Sequence, residues 1–234
     1  MRTLIIDKRM RNVEKEYFLE NGFNLVELQT QKNIYEEVSS HVDIFFCKIG
    51  DSIISGADTI DYIPEHVKNV HLGNSVVSKE YPNDIKYNVA CIGKRAIHTF
   101  KNTDYVVKKI IKQKEYEQIP VKQGYSRCSI VATSDNSCIT SDIGIAKILR
   151  KNNIDVLYIN EETIRLLKKD SSQSLMNGFI GGATYVLDNK FILFGDINKL
   201  KNAEKIKEHI KKYNLELVDF KDLEVTDYGS CMEV

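Results

Sequence analysis

The sequence predicts an α/β protein, a five-fold pseudosymmetric α/β propeller built of ββαβ units with the last unit shared by both termini. Three observations carry this. A strand, a tight polar turn and a second strand recur four times along the chain. An amphipathic helix or turn-rich connection and a third strand follow each recurrence. The two chain ends hold complementary pieces of one further unit.

The elements follow in order. TLIID, VEKEYFLENG and NLVELQ read as strand, helix and strand at the N-terminus. HVDIFFCKI and SIISG flank the turn Gly50-Asp51, and the connection ADTIDYIPEHV, weakened as a helix by Pro64, leads to KNVHLG. YNVACI and RAIHTF flank Gly93-Lys94, followed by a helix from Asn102 and the strand YEQIPV. GYSRCSIVATS and SCITS flank Asp135-Asn136, followed by a helix from Asp142 and IDVLYIN. GGATYVL and KFILFG flank Asp188-Asn189, followed by a helix from Asp196 and LELVDF. In each helix an Asn or Asp stands as N-cap and apolar residues recur at spacings of three and four. YGSCMEV reads as a first strand whose missing partners are those at the N-terminus. The units therefore span 41–75, 85–122, 124–160, 178–220, and 226–234 joined to 1–30, all within a single domain. Such a ring leaves no exposed sheet edge. The alternative, a doubly wound parallel sheet, lacks a Gly-rich phosphate loop after the first strand.

Composition narrows the function. Lys+Arg and Asp+Glu both number 33 in 234 residues, so no basic surface points to nucleic acid or to an anionic membrane. The apolar run at the N-terminus is too short for a signal peptide, and no stretch is long enough to span a bilayer, so a cytoplasmic protein is expected. Five cysteines without CxxC spacing predict reduced thiols, with neither a disulfide framework nor a metal site, and no cofactor is expected. Abundant Lys, Ile and Asn fit an AT-rich bacterial genome. The oligomeric state is left open.

The turns also set a register. Asp43, Cys128 and Gly181 each lie seven residues before a hairpin turn, and Asp227 lies seven before Val234. In the second unit the same count reaches Lys86, and a slip of two reaches Asn88. Because side chains alternate along a strand, these positions share one face, and His41, two before Asp43, joins them. Two carboxylates, a thiol and a glycine that leaves room then meet in one cavity suited to a small cation.

The motifs HVDIFF at His41, GYSRCSI at Gly124 and GFIGGATYVLDN at Gly178 resemble those of the pentein superfamily of guanidino-group-modifying, amidinotransferase-like enzymes. More narrowly, the chain looks like a bacterial family of that fold without an established activity. The resemblance implies a cysteine that attacks a guanidinium carbon, a histidine acting as acid and base, and carboxylates that hold the cation. It assigns Cys128 as nucleophile, two units after His41, with Cys231 as runner-up near the C-terminus. The constellation is then rotated by two units relative to the known enzymes. Asp43 and Asp227 would pair with guanidinium N–H groups, and Arg127, Gly181, Tyr125 and Asn88 would complete the binding site. Arg127 or the substrate would lower the thiol pKa. The competing expectation is a non-catalytic ligand-binding or protein-interaction member of the fold. Equally bland roles exist for the residues: buried cysteine as a small hydrophobe, Tyr125 as core, Gly181 as a site of close packing.

Overall fold

The computed structural model describes residues 2–234. In chain order, β1 (Arg2–Asp7), α1 (Asn12–Glu20) and β2 (Phe23–Leu28) open the chain. A helical turn α2 (Val42–Phe45) then leads into β3 (Phe46–Ile49), β4 (Ser52–Ser55) and β5 (Val70–Leu72). Next come β6 (Ala90–Ile92), β7 (Arg95–His98), α3 (Tyr105–Gln113) and β8 (Glu117–Pro120). A second such turn, α4 (Ser126–Ser129), precedes β9 (Ile130–Ser134), β10 (Ser137–Thr140), α5 (Ile143–Lys151) and β11 (Asp155–Tyr158). The hairpin β12 (Arg165–Leu167) and β13 (Gln173–Asn177) is followed by β14 (Thr184–Leu187), β15 (Lys190–Leu193), α6 (Ala203–Lys212), β16 (Glu216–Val218) and β17 (Met232–Glu233).

Five three-stranded sheets share one plan. The middle strand pairs antiparallel with the first and parallel with the third, as in β3-β4-β5, β6-β7-β8, β9-β10-β11 and β14-β15-β16. The fifth is β17-β1-β2, in which the C-terminal strand pairs antiparallel with the N-terminal one, Leu4 opposite Glu233. The β12–β13 hairpin lies outside this plan.

The helices tie neighbouring sheets together. Val107, Ile110 and Ile111 of α3 are buried in the same cluster as Ile49 and Ile54 of the preceding sheet. Ile145, Ala146 and Leu149 of α5 join Ala90, Ile92 and Ile97. Ile206 and Ile210 of α6 join Val131 and Ile139. Phe18 of α1 joins Ile192 and Phe194. Each helix thus buries its apolar stripe against its own sheet and the one before it, which gives one stripe two partners.

Local starts depart from the expected pattern in informative ways. Asp142 caps α5 as expected, its side chain accepting from Ile145 N–H. The cap of α3 is Asp104 rather than Asn102, accepting from Val106 and Val107 N–H. Asp196 caps a single 3₁₀ turn, and α6 begins only after Asn202. The connection with Pro64 forms a 3₁₀ turn in place of a helix. Most consequentially, the segments beginning at Val42 and at Ser126 open as helical turns and become strands only afterwards. Their short apolar runs carry no period that separates a helical turn from a buried strand. Among the described residues, no helix is long and apolar enough to cross a membrane.

Candidate functional site

The first strands β3, β6, β9, β14 and β17 together line one cavity of about 260 Å³. Its inner end is formed by Val42, Asp43 and Arg127, and its mouth by the more accessible Lys48, Cys91, Ala132, Val186 and Glu233, near the hairpin turns. Beyond the inner end, at the starts of the strands, lies a buried polar cluster.

Two helical turns build that cluster. The α2 turn carries Asp43 between His41 and the strand, with Asp43 N–H donating to Gly229 O at 3.2 Å. The α4 turn carries Arg127 and Cys128 and is held by Asn88, whose side-chain oxygen accepts from Arg127 N–H at 2.8 Å and Cys128 N–H at 3.3 Å. The amide of Asn88 donates to Cys128 Sγ at 3.1 Å and to Asp43 O at 2.8 Å, bridging the two turns. Asp227 accepts from Phe179 N–H at 2.8 Å and Gly229 N–H at 2.9 Å. His41 Nδ1 lies 3.7 Å from Asp227, and His41 Nε2 lies 4.0 Å from Asp7. Asp7 is paired with Arg9 at 2.6 Å and accepts from Ser40 Oγ at 2.8 Å.

The electrostatics follow from burial. His41 is fully buried, which pushes its imidazole below the ordinary value against the opposing pull of Asp227 and Asp7. Burial raises Asp43 and Asp227; the neighbouring Cys128 thiol and Arg127 lower Asp43 in part, and His41 does so for Asp227. Burial, then Asp43 and Asp227, hold the Cys128 thiol well above its ordinary range. The thiol lies against the Asp43 carboxyl, yet neither Asp43 oxygen is engaged in a well-formed hydrogen bond, and both His41 ring nitrogens are likewise unpartnered. Buried polar groups left without partners are rare and costly.

The match to the family described as a family of unknown function (DUF6873) spans residues 5–232. The chain belongs to that family. Among solved structures it is similar to a cysteine-to-serine variant of dimethylarginine dimethylaminohydrolase from Pseudomonas aeruginosa, complexed with citrulline. That likeness has a TM-score of 0.54 at 10% identity, covering 93% of this chain and 92% of that one. Agmatine deiminase from C. jejuni gives 0.53 at 13% identity, covering 93% of this chain and 74% of that one. The chain therefore has the α/β fold of these pentein proteins. No curated protein matches the sequence.

His41, Asp43, Asn88, Cys128 and Asp227 come together in the family's fold, with Asn88 rather than Lys86 at the second unit's position. Their shared placement arises from helical turns and a loop, since Asp43 and Cys128 precede their strands and Asp227 lies in the segment before β17. The hydrogen bond between His41 and Cys128 that direct proton exchange requires is not made, and Asp227 neighbours both.

The other expected residues sit differently. Gly181 leaves no room for a ligand, because a Cβ there would fall 2.4–2.6 Å from the carbonyl oxygens of Arg127, Ile130 and Cys128. It is a site of close backbone packing. The Tyr125 hydroxyl donates to Asp84, and its ring, half-buried, stacks on Phe179 with centroids 6.4 Å apart. The Cys128 thiol is raised on balance and not lowered, with burial the largest cause; the Arg127 guanidinium donates to Ser230 Oγ at 2.8 Å, Ile130 O at 3.2 Å and Gly181 O at 3.3 Å. Cys231 lines the cavity, and burial raises its thiol well above the ordinary value. Asp7, Arg9 and Ser40 were not singled out by sequence, although an acid ending the apolar strand TLIID was a usable signal. Among the described residues, no group of three His, Cys, Asp or Glu side chains could hold a metal ion.

Proposed function

We propose that the chain is a single domain in which the five sheets close into a ring, and that its strand-start cluster binds a small guanidino-type cation. The ring reading is supported by the cavity lined from all five first strands and by helices that share cores between successive sheets. The ligand reading is carried by the Asp43 carboxyl, buried with both oxygens unpartnered. An unsatisfied buried acceptor costs about 1–3 kcal/mol, and a planar guanidinium offers the fork of N–H donors that removes this cost.

Chemistry at this site would be cysteine-dependent C–N hydrolysis or amidino transfer. A cation bound against Asp43 would lower the Cys128 thiol pKa, allowing Sγ to add to the guanidinium carbon. The thiol proton would pass by way of Asp227, which neighbours both groups, to His41, which would return it to the departing amine as the C–N bond breaks; His41 would then take a proton from the water whose oxygen displaces Sγ. Access would run beneath the Tyr125–Phe179 pair. The second reading, a non-catalytic binding or interaction member, is favoured by a thiol held protonated and by the missing His41–Cys128 bond.

Labelling tests both. A haloacetamidine should alkylate Cys128 at least tenfold faster than the neutral haloacetamide, and Asp43→Asn should abolish the difference. Equal rates with both reagents, together with no rise in melting temperature from methylguanidinium, arginine or agmatine, would sink the guanidino reading. A rise in melting temperature without turnover would favour the non-catalytic reading.

A further inference from the structure

The cavity at the other side of this cluster has the opposite character. Arg127 is half-buried at its inner end, and its exposed surface faces the cavity. The three acceptors that hold it, Ser230 Oγ, Ile130 O and Gly181 O, are all uncharged, and among the described residues no carboxylate pairs with it. A guanidinium has five N–H donors, so these three bonds leave donors free. Lys48 adds a second cation at the mouth, donating to the Glu233 carbonyl at 2.7 Å. The Glu233 carboxylate is engaged by Arg2 at 2.6 and 2.9 Å. Asp43 is the remaining acid, and burial drives it towards its neutral form. Between the two cations the walls are apolar, formed by Phe46, Val89, Ile130 and Met232.

From this arrangement we infer that the cavity is a binding site for a small carboxylate anion, its charged end on Arg127 and its short apolar body against the strand walls. The inference is separable from the guanidino reading, because the anion's partners are Arg127 and the strand walls; Asp43, which shares the inner end, enters only as a carboxyl that burial drives towards its neutral form. The volume of about 260 Å³ far exceeds the roughly 30 Å³ that one water occupies in the liquid, so several heavy atoms fit. A charge-assisted bond from guanidinium to carboxylate is stronger than one to a neutral carbonyl.

Propionate and propionamide, which share shape and differ in charge, test the inference by calorimetric titration of the full chain at constant ionic strength. Propionate should bind saturably and at least tenfold more tightly than propionamide, and Arg127→Gln should weaken it at least tenfold. Should Arg127→Gln fail to fold, Ala132→Phe narrows the mouth while leaving Arg127 in place, and binding should again be lost. Absence of saturable propionate binding, equal affinity for propionamide, or undiminished binding in either folded variant would overturn the proposal.

Discussion

The α2 and α4 turns are the same backbone device placed at the starts of two first strands, yet they differ in how their side chains are satisfied. Around α4, one Asn88 side chain serves Arg127 N–H, Cys128 N–H and Cys128 Sγ. Around α2, Asp43 and His41 are buried with their side-chain polar atoms unpartnered. One turn is held before any ligand arrives, and the other stores an unmet demand for donors. Such local cost is commonly retained where a ligand binds. A rigid thiol beside an unsatisfied acid is a division of labour between positions that are equivalent in the repeat.

Breaking the frame around the cluster has the largest expected effect. In Gly182→Ala the new Cβ would sit 2.0 Å from Asp227 Oδ1, an overlap relieved only by moving Asp227 or the backbone. A loss of about 3 kcal/mol is expected in urea denaturation. A variant within experimental error of the parent would refute the close packing.

Acid acts on a comparable scale. Burial, only partly offset by the bond to Gly124 O, lowers His98 from 6.5 to about 4. Above pH 6.5 both folded and unfolded chains hold it neutral. As pH falls from 6.5 towards 4, the unfolded chain takes up a proton that the folded one refuses, and stability drops by about 3 kcal/mol. Burial likewise lowers His41 and His209, so they add in the same direction. Raised Asp43 and Asp227 have the opposite sign: their neutral forms contribute stability below about pH 3.8, and this is lost as pH rises through their raised values. Urea midpoints at pH 7 and 4.5 compared between the parent and His98→Gln isolate the His98 share: lowering the pH should cost the parent more stability than the variant.

Asn88→Ala breaks the held turn. It leaves Arg127 N–H and the Asp43 carbonyl without their side-chain partner and should cost about 2 kcal/mol. Faster hydrogen exchange confined to α4 and the start of β9 would accompany it, whereas uniform exchange would argue against a local tether.

Asp43→Asn sharpens the contrast from the other side. With no ligand present, replacing an unpartnered buried carboxyl by a neutral amide should be neutral or stabilise by up to about 1 kcal/mol. Any rise in melting temperature produced by guanidino compounds should vanish with it. A loss of several kcal/mol would mean that Asp43 has a structural partner.

Much of this was legible from residues alone. The polar pairs Gly50-Asp51, Gly93-Lys94, Asp135-Asn136 and Asp188-Asn189 mark hairpins because few other residues adopt such tight turns, and the structure pairs strands across each of them. Counting back from them found Asp43 and Cys128 and, with a slip of two from Lys86, Asn88, through which the structure joins the other two. Counting found Gly181 too, but not that carbonyls fill the space beside it. Asp7 and Arg9 escaped because an ion pair two residues apart at a strand end looks like ordinary surface until burial is known. The β12–β13 hairpin escaped because Arg165–Asn177 has neither a strong turn signal nor a continuous apolar face.

The sequence by itself determined which strands are hairpin partners, that the chain ends complement one another, and which polar residues occupy equivalent positions. Those are local or periodic properties, written in turn chemistry and spacing. Only the tertiary structure decided that Asp43 and Cys128 stand on helical turns, that Arg127 faces the cavity without an ion-pair partner, and that no hydrogen bond joins His41 to Cys128. Hydrogen-bond satisfaction and burial depend on what other segments bring to the same place, and no spacing along one chain encodes that distance.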